Sequence, residues 1–324
     1  MHIRGKTIPL LALFVAALMG LTGCAVETDN TDAAAADPEE PLTVYATTMY
    51  LADAVAHIDP EAEITTMVGP GADPHTYQLS TKDIERLEDA DAVVWNGLYL
   101  EAVAADILRT QGSRQRALAE ELDTAELVPW EDAEVDGAPE DVLYDPHVWN
   151  NPRLWAQVVE HTAEFLAERR PDNREEYLAK AEAYAEEIIA ADAWAQDRLA
   201  TIPEEQRLLI TGHDAFVYLG QTYELEIRAT DFISSEAELS ASELSELADV
   251  IAEREVPVIF HDNQKNPQAI RSLKEAVHSR GWDVEISEHE LFADSMGSAP
   301  DVDHYLGAFK HNVNAIADAL GEAE

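Results

Sequence analysis

The sequence predicts an α/β protein of two lobes joined by one long helix. Two separate series of short β-branched runs, each interleaved with helical stretches, predict two α/β lobes. Between them lies a helical region rich in Glu, Ala, Lys and Arg, with one proline break at Pro171. At 324 residues the chain is long enough to bury two cores, and 46% hydrophobic residues suit a folded protein.

In chain order, residues 1–23 read as a lipoprotein signal peptide. Arg4 and Lys6 precede an apolar run from Ile8 to Gly20, and then comes Leu21-Thr22-Gly23-Cys24. The run is shorter than the ~20 residues of a spanning helix. Small residues before a cysteine predict that the Cys24 thiol is lipidated and becomes the mature N-terminus. An uncleaved anchor and an ordinary secretory signal are the competing readings. Cys24 is the sole cysteine, which excludes internal disulfides and a thiolate metal ligand elsewhere. Residues 24–41 are small, acidic and aperiodic, a lipidated tether. The rest of the chain has no second apolar span, so the lipid is the expected membrane attachment, on the extracytoplasmic face.

Residues 42–170 are the first lobe, with strands predicted at Leu42–Thr47, Ala62–Met67, Ala92–Trp95 and Glu126–Val128. Helices are predicted at Thr81–Glu88 and Tyr99–Leu108, and a further one at Pro152–Arg169. Residues 171–201 are the linking helix. Asp172–Leu199, at 1.5 Å per residue, spans roughly 40 Å, enough to run the height of both lobes. Two shorter helices with a bend are the alternative. Residues 202–324 are the second lobe. Its strands fall at Arg207–Thr211, Leu225–Ala229, Val256–Phe260 and Asp283–Ile286, with helices at Ser242–Arg254 and Pro267–Ser279. Glu131–Asp141 is an acidic loop with Gly and Pro, and it lacks histidine.

Sixty-five acidic against 21 basic residues give a net charge of −44. Such a surface repels phosphates, which argues against nucleic-acid binding. A solvated acidic surface or a salty habitat is the plain explanation of this charge, and attraction of cations toward a cleft is the weaker functional reading.

Three of the eleven histidines sit in unusual settings. His75 closes Gly69-Pro70-Gly71-Ala72-Asp73-Pro74-His75 after a predicted strand. His147 closes Tyr144-Asp145-Pro146-His147 before a helix. His213 follows the strand Leu208–Thr211. Strand C-terminal ends face the ligand crevice in open α/β sheets. Pro74 and Pro146 stiffen the backbone just before each imidazole, which reduces the entropy lost on fixing a ligand. Asp294, in Leu291–Gly297, reads on its own as a turn or cap residue.

With these residues in view, the chain resembles the solute-binding receptors of zinc/manganese ABC importers, the cluster that includes pneumococcal-type surface antigens. The likeness rests on YATTMYLADAV, MVGPGADPHTYQLSTKDIERLEDADAVVWNGLYLE, YDPHVWNNPRLW, LLITGHDAFVYLG, LFADSMG and YLGAFKHNVNAI. It implies metal held between the lobes by His75 and His147 from the first and by His213 and Asp294 from the second. Some members carry Glu at the position of His213. The resemblance further implies a monomeric receptor that hands one divalent ion, as cargo, to an ABC importer permease.

Three imidazoles and a carboxylate suit late first-row ions, and the Irving–Williams order favours Zn2+ over Mn2+. Binding through both Asp294 oxygens would better accommodate Mn2+. Asp73, Asp145, Asp214 and Asp262 are candidates to support these ligands from behind. An adhesin-like surface lipoprotein is the alternative function. A zinc hydrolase fits less well: a fourth ligand closes the sphere that catalysis leaves open, and no His-Glu-x-x-His segment is present.

Overall fold

The computed structural model describes residues 40–130, 143–231, 239–263 and 267–321. Cys24, the tether up to residue 39 and the acidic loop at 131–141 lie outside them.

The first lobe is built on a parallel four-stranded sheet. Its strands are β1 (Thr43–Ala46), β2 (Glu63–Thr66), β3 (Ala92–Trp95) and β4 (Gln115–Ala117), in the order β2-β1-β3-β4. Around it lie α1 (Met49–Ile58), α2 (Thr81–Asp89) and the short α3 (Ala105–Arg109). The central strand β3 is wholly buried, which explains its unbroken apolar Ala-Val-Val-Trp run. A capping box on Ser80 and Asp83 starts α2: each side chain bonds the other's backbone N–H.

Two expectations for this lobe are corrected. The fourth strand is Gln115–Ala117, not Glu126–Val128. It is half-buried and carries Gln and Arg, so it lacks the β-branched signature of a buried strand. Nor is Tyr99–Leu108 one helix, since regular helix begins only at Ala105. Leu98 and Tyr99 have φ of 52° and 72°, a left-handed turn that folds Glu101 inward. There the buried Glu101 carboxylate accepts from Asn96 N–H at 2.8 Å, Gly97 N–H at 3.1 Å and Thr47 Oγ1. These bonds compensate for burying a carboxylate.

Helix α4 (Pro152–Arg169) opens on Pro152, with the Asn151 side chain accepting from Arg153 N–H. Pro171 ends it, since the residue before proline is pushed out of helical geometry. After one 3-10 turn comes α5 (Arg174–Leu199), the long link, a single 26-residue helix. Its buried face runs Tyr177, Ala181, Tyr184, Ile188, Ala191, Ala195 and Leu199, the 3–4 residue spacing of a helical stripe. Burying a side chain such as Ile188 contributes roughly 1.5–3 kcal/mol.

The second lobe contains β5 (Leu208–Thr211), α6 (Val217–Tyr223), β6 (Glu226–Ala229), α7 (Ala241–Glu253), β7 (Val258–Ile259), α8 (Pro267–His278), β8 (Glu285–Ile286) and α9 (Tyr305–Leu320). Strands β5 and β6 pair in parallel, as do β7 and β8. Phe260 N–H donates to Ile210 O at 2.8 Å and ties β7 to β5. The last two strands are shorter than the sequence predicts, two residues each.

Helix α5 is bonded to both lobes. Tyr177 OH donates to Asp59 at 2.6 Å and Tyr184 OH to Asp53, both from the α1 region. Farther along, Asp192 accepts from Tyr223 OH of α6 at 2.9 Å, and Arg198 pairs with Asp318 of α9. An aromatic layer spans the lobes beside it: Tyr50 stacks on Trp149, and Trp155, Tyr305 and Phe309 continue the contacts. No helix among the described residues is long and apolar enough to cross a membrane.

Candidate metal centre

Each of the four residues named above sits in a loop at an element end. His75 ends the Gly69–His75 loop beyond β2. Gly71, at φ 71°, makes the turn, and Ala72 N–H donates to Gly69 O at 3.1 Å. Asp73 Oδ1 accepts from His75 N–H at 2.8 Å and Oδ2 from Thr76 Oγ1 at 3.0 Å. Asp73 therefore organises its own loop.

His147 lies between an isolated bridge at Tyr144 and a 3-10 turn at Val148–Asn150. Asp145 Oδ1 accepts from the His147 backbone N–H at 2.9 Å and from Nδ1 at 2.7 Å. With Nδ1 carrying that proton, Nε2 turns toward the cleft.

His213 follows β5, and its backbone N–H donates to Asp262 Oδ2 at 2.7 Å. That oxygen lies 2.6 Å from where a Cβ at residue 212 would stand, so Gly212 leaves room for the approach. Asp294 sits in a loop held on both sides. Ala293 N–H donates to Asn263 Oδ1 at 3.2 Å, while Asn312 of α9 bonds both the N–H and the carbonyl of Phe292. From the first lobe, Tyr50 OH and Trp149 Nε1 both donate to Ala293 O, at 3.0 and 2.9 Å.

The four side chains converge. His147 Nε2 lies 3.3 Å from His75 Nε2 and 3.2 Å from His213 Nε2. Asp294 Oδ1 is 3.1 Å from His147 Nε2, and Oδ2 is 3.2 Å from His213 and 3.6 Å from His75. All four donor atoms fall within 4.8 Å of one another, and all four residues are buried. Donors about 2.0–2.2 Å from one tetrahedral ion stand about 3.3–3.6 Å apart, close to these separations.

Charge is distributed unevenly over the cluster. Burial and the neighbouring imidazoles push His75 down to about 4. Burial also disfavours a charged His147, but Asp145 and Asp294 outweigh it and hold its proton up to about 10. His213 is raised as well: burial opposes its charge, and Asp294 overcomes it. The Asp294 carboxyl, despite its burial, is held far below the usual range by His213 and His147. Without an ion, the cluster is thus a carboxylate facing protonated imidazole, and a dication would replace those protons. Burial, then the like charge of Asp145, pushes Asp214 up to about 6.

Sequence reasoning assigned no role to Asn263, Ser295 or Asn312. Asn312 carried a signal, since it occupies the buried stripe of α9 beside Ala308, Phe309 and Val313, where an amide needs partners. Asn263 and Ser295 carried none.

Two α/β lobes on one rigid helix, with a buried nitrogen–oxygen donor cluster at the strand ends, define a receptor for a metal ion. The family described as zinc-uptake complex component A, periplasmic, matches residues 44–319, and the chain belongs to it. It is a metal-binding receptor of a metal-uptake system, in a family of solute receptors and not of enzymes.

Among its relatives, the manganese-binding lipoprotein MntA of Bacillus subtilis is 31% identical over 315 residues, 96% of this chain and 98% of the relative. The zinc-binding protein TroA of Treponema pallidum is 34% identical over 310 residues, 94% and 96% of the two chains. The solved structure of the periplasmic zinc-binding protein TroA from Treponema pallidum superposes with a TM-score of 0.81 at 33% identity. It covers 87% of this chain and 100% of that one.

Proposed function

We propose that this receptor captures one divalent transition-metal ion on His75, His147, His213 and Asp294, Zn2+ in preference to Mn2+, and passes it to an ABC importer permease. The observation that carries this reading is the convergence of four buried donors at ligand-to-ligand spacing. Three neutral imidazoles and one carboxylate leave a formal charge of +1 with a dication, which the acidic surroundings tolerate.

Zinc is favoured because nitrogen-rich sites follow the Irving–Williams order, and four donors close a tetrahedron. Both Asp294 oxygens face the histidines, so a fifth bond is within reach, and manganese gains most from it. The relatives divide in the same way: MntA is named for manganese and TroA for zinc. Lipidation at Cys24 would hold a monomeric receptor at the extracytoplasmic face, near the permease.

Elemental analysis of protein purified without added metal, followed by competition titrations of Zn2+ against Mn2+, tests the proposal. One equivalent of metal, with zinc displacing manganese, supports it. Manganese retained against equimolar zinc would reverse the preference, and no bound metal would sink the site.

A further inference from the structure

The four donor residues are not equally secured. Asp145 grips His147 at two atoms, Asp262 holds the His213 backbone, and Asn263 and Asn312 brace the chain beside Asp294. His75 also has its backbone N–H held, by Asp73, but it ends a loop that begins exposed at Gly69 and Pro70, and it is the least buried of the four, at 6% against 1% or less. This loop reaches the second lobe through Gly71 N–H, which donates to Ser295 Oγ at 2.9 Å. Asn263 Nδ2 donates to the same oxygen at 2.7 Å and to the Ser295 carbonyl at 2.6 Å. Ser295 is fully buried. A buried hydroxyl next to Asp294 therefore joins the lobe that carries Asp294 to the loop that carries His75.

We propose that Ser295 is a positioning residue for metal exchange: its hydroxyl latches the Gly69–His75 loop across the cleft, and the ion leaves when the latch opens and His75 departs first. The inference rests on the ligand set proposed above. An ion leaves a closed site by exchanging ligands for water one at a time. The first to go is the one whose departure breaks the fewest bonds and opens the least buried surface. On the His75 side the loop rim is already in solvent. On the His147 side both Asp145 bonds and the Trp149 packing would have to give way.

The test is Ser295→Ala in the full chain, loaded with Zn2+ and mixed with an excess of an absorbing chelator. Of the two bonds lost, the one from Asn263 lies within the second lobe and the one from Gly71 crosses the cleft. Losing that single crossing bond predicts dissociation roughly threefold to tenfold faster, with the association rate unchanged. Amide hydrogen exchange on the loaded variant should speed up across residues 69–77 more than across 291–297, and should not change across 145–150. A wild-type dissociation rate, or loosening confined to 291–297, overturns the latch.

If Ser295→Ala does not fold, exchange on the unmodified protein decides. Loading with zinc must protect residues 69–77 more than 145–150, and equal protection overturns the proposal. Unmodified protein that binds no zinc overturns the ligand set and the latch together. Unmodified protein that binds zinc, paired with a variant that releases it at the same rate, overturns the latch alone.

Discussion

The two lobes each bring two donors to the cleft, but they hold them by different means. In the first lobe the support is local: Asp73 and Asp145 each stand two residues before the histidine they serve. In the second lobe it is remote. His213 is held by Asp262, 49 residues away, and the Asp294 loop by Asn263 and Asn312, which come from a different loop and a different helix. The sheets differ in the same sense. The first lobe has four strands in one ladder, while the second has two short pairs joined through Phe260. A local brace organises its ligand whatever the rest of the lobe does. A remote brace works only once the lobe has folded, so ligand geometry and lobe stability are coupled there.

The largest expected effect removes a donor outright. His147→Ala should abolish stoichiometric binding, a greater loss than the 10–100-fold typical of removing a residue that supports a ligand from behind. The fold should persist, because the Tyr50–Trp149 stack and the Tyr50–Trp155 contact remain, although the edge-on contact of His147 with Trp149 is lost. Calorimetry with Zn2+, alongside circular dichroism, reads both; unchanged stoichiometry would remove His147 from the ligand set.

Replacing the braces tests the comparison itself. Asp145→Ala and Asp262→Ala should each weaken zinc binding roughly 10–100-fold. They should differ in stability. Asp262→Ala leaves the buried His213 N–H without this acceptor, at a cost of about 1–3 kcal/mol, and does so in the lobe with the shorter strands. Asp145→Ala takes the acceptor from two His147 groups, its N–H and Nδ1, but all within one loop of the lobe with the four-stranded sheet. If support there is local, its fall in melting temperature should be the smaller. Equal falls would erase the distinction between local and remote support.

The pH dependence follows from which imidazoles carry protons before the ion arrives. His147, held up to about 10, is protonated throughout the range from pH 6 to 8, and the raised His213 is so over part of it. His75, pushed down to about 4, is already neutral there. Binding must therefore expel protons, and apparent affinity rises with pH. The slope should be between one and two protons, about tenfold per pH unit for each. Competition titrations from pH 6 to 8 measure it, and a flat profile would contradict histidine ligation.

The same local–remote split explains what was legible in the sequence. Asp-Pro-His is a complete instruction, with brace, stiffened backbone and donor adjacent, so His75 and His147 stood out before any fold was known. His213 was legible because its strand is an unmistakable apolar run ending at Thr211. Asp294 was not, since nothing nearby in sequence distinguishes it from a turn aspartate, and its setting depends on Asn263, Asn312, Tyr50 and Trp149. The misread elements fail for related reasons. Gln115–Ala117 is a strand by virtue of its partner β3, not its own composition. The stretch from Leu98 to Ala104 is kept out of helix by a buried glutamate whose partners include Thr47, 54 residues away.

The smallest effect is expected at Asp73. Its carboxylate closes a turn over Thr76 and the His75 N–H at the rim of the cleft, in a loop partly open to solvent. Asp73→Ala leaves His75 able to ligate but frees its loop, so the ion must order more backbone on binding. Fixing one residue costs roughly 1–2 kcal/mol, of which a partly ordered loop recovers some, so affinity should fall about threefold to tenfold. Melting temperature should move by less than about 2 °C, because the turn adds little to the first lobe's sheet. Paired with Asp262→Ala, this variant separates loop order from lobe order. If Asp73→Ala lowered stability as much as Asp262→Ala does, the Gly69–His75 loop would belong to the first lobe's folding core, and a latch at Ser295 would have little motion to control.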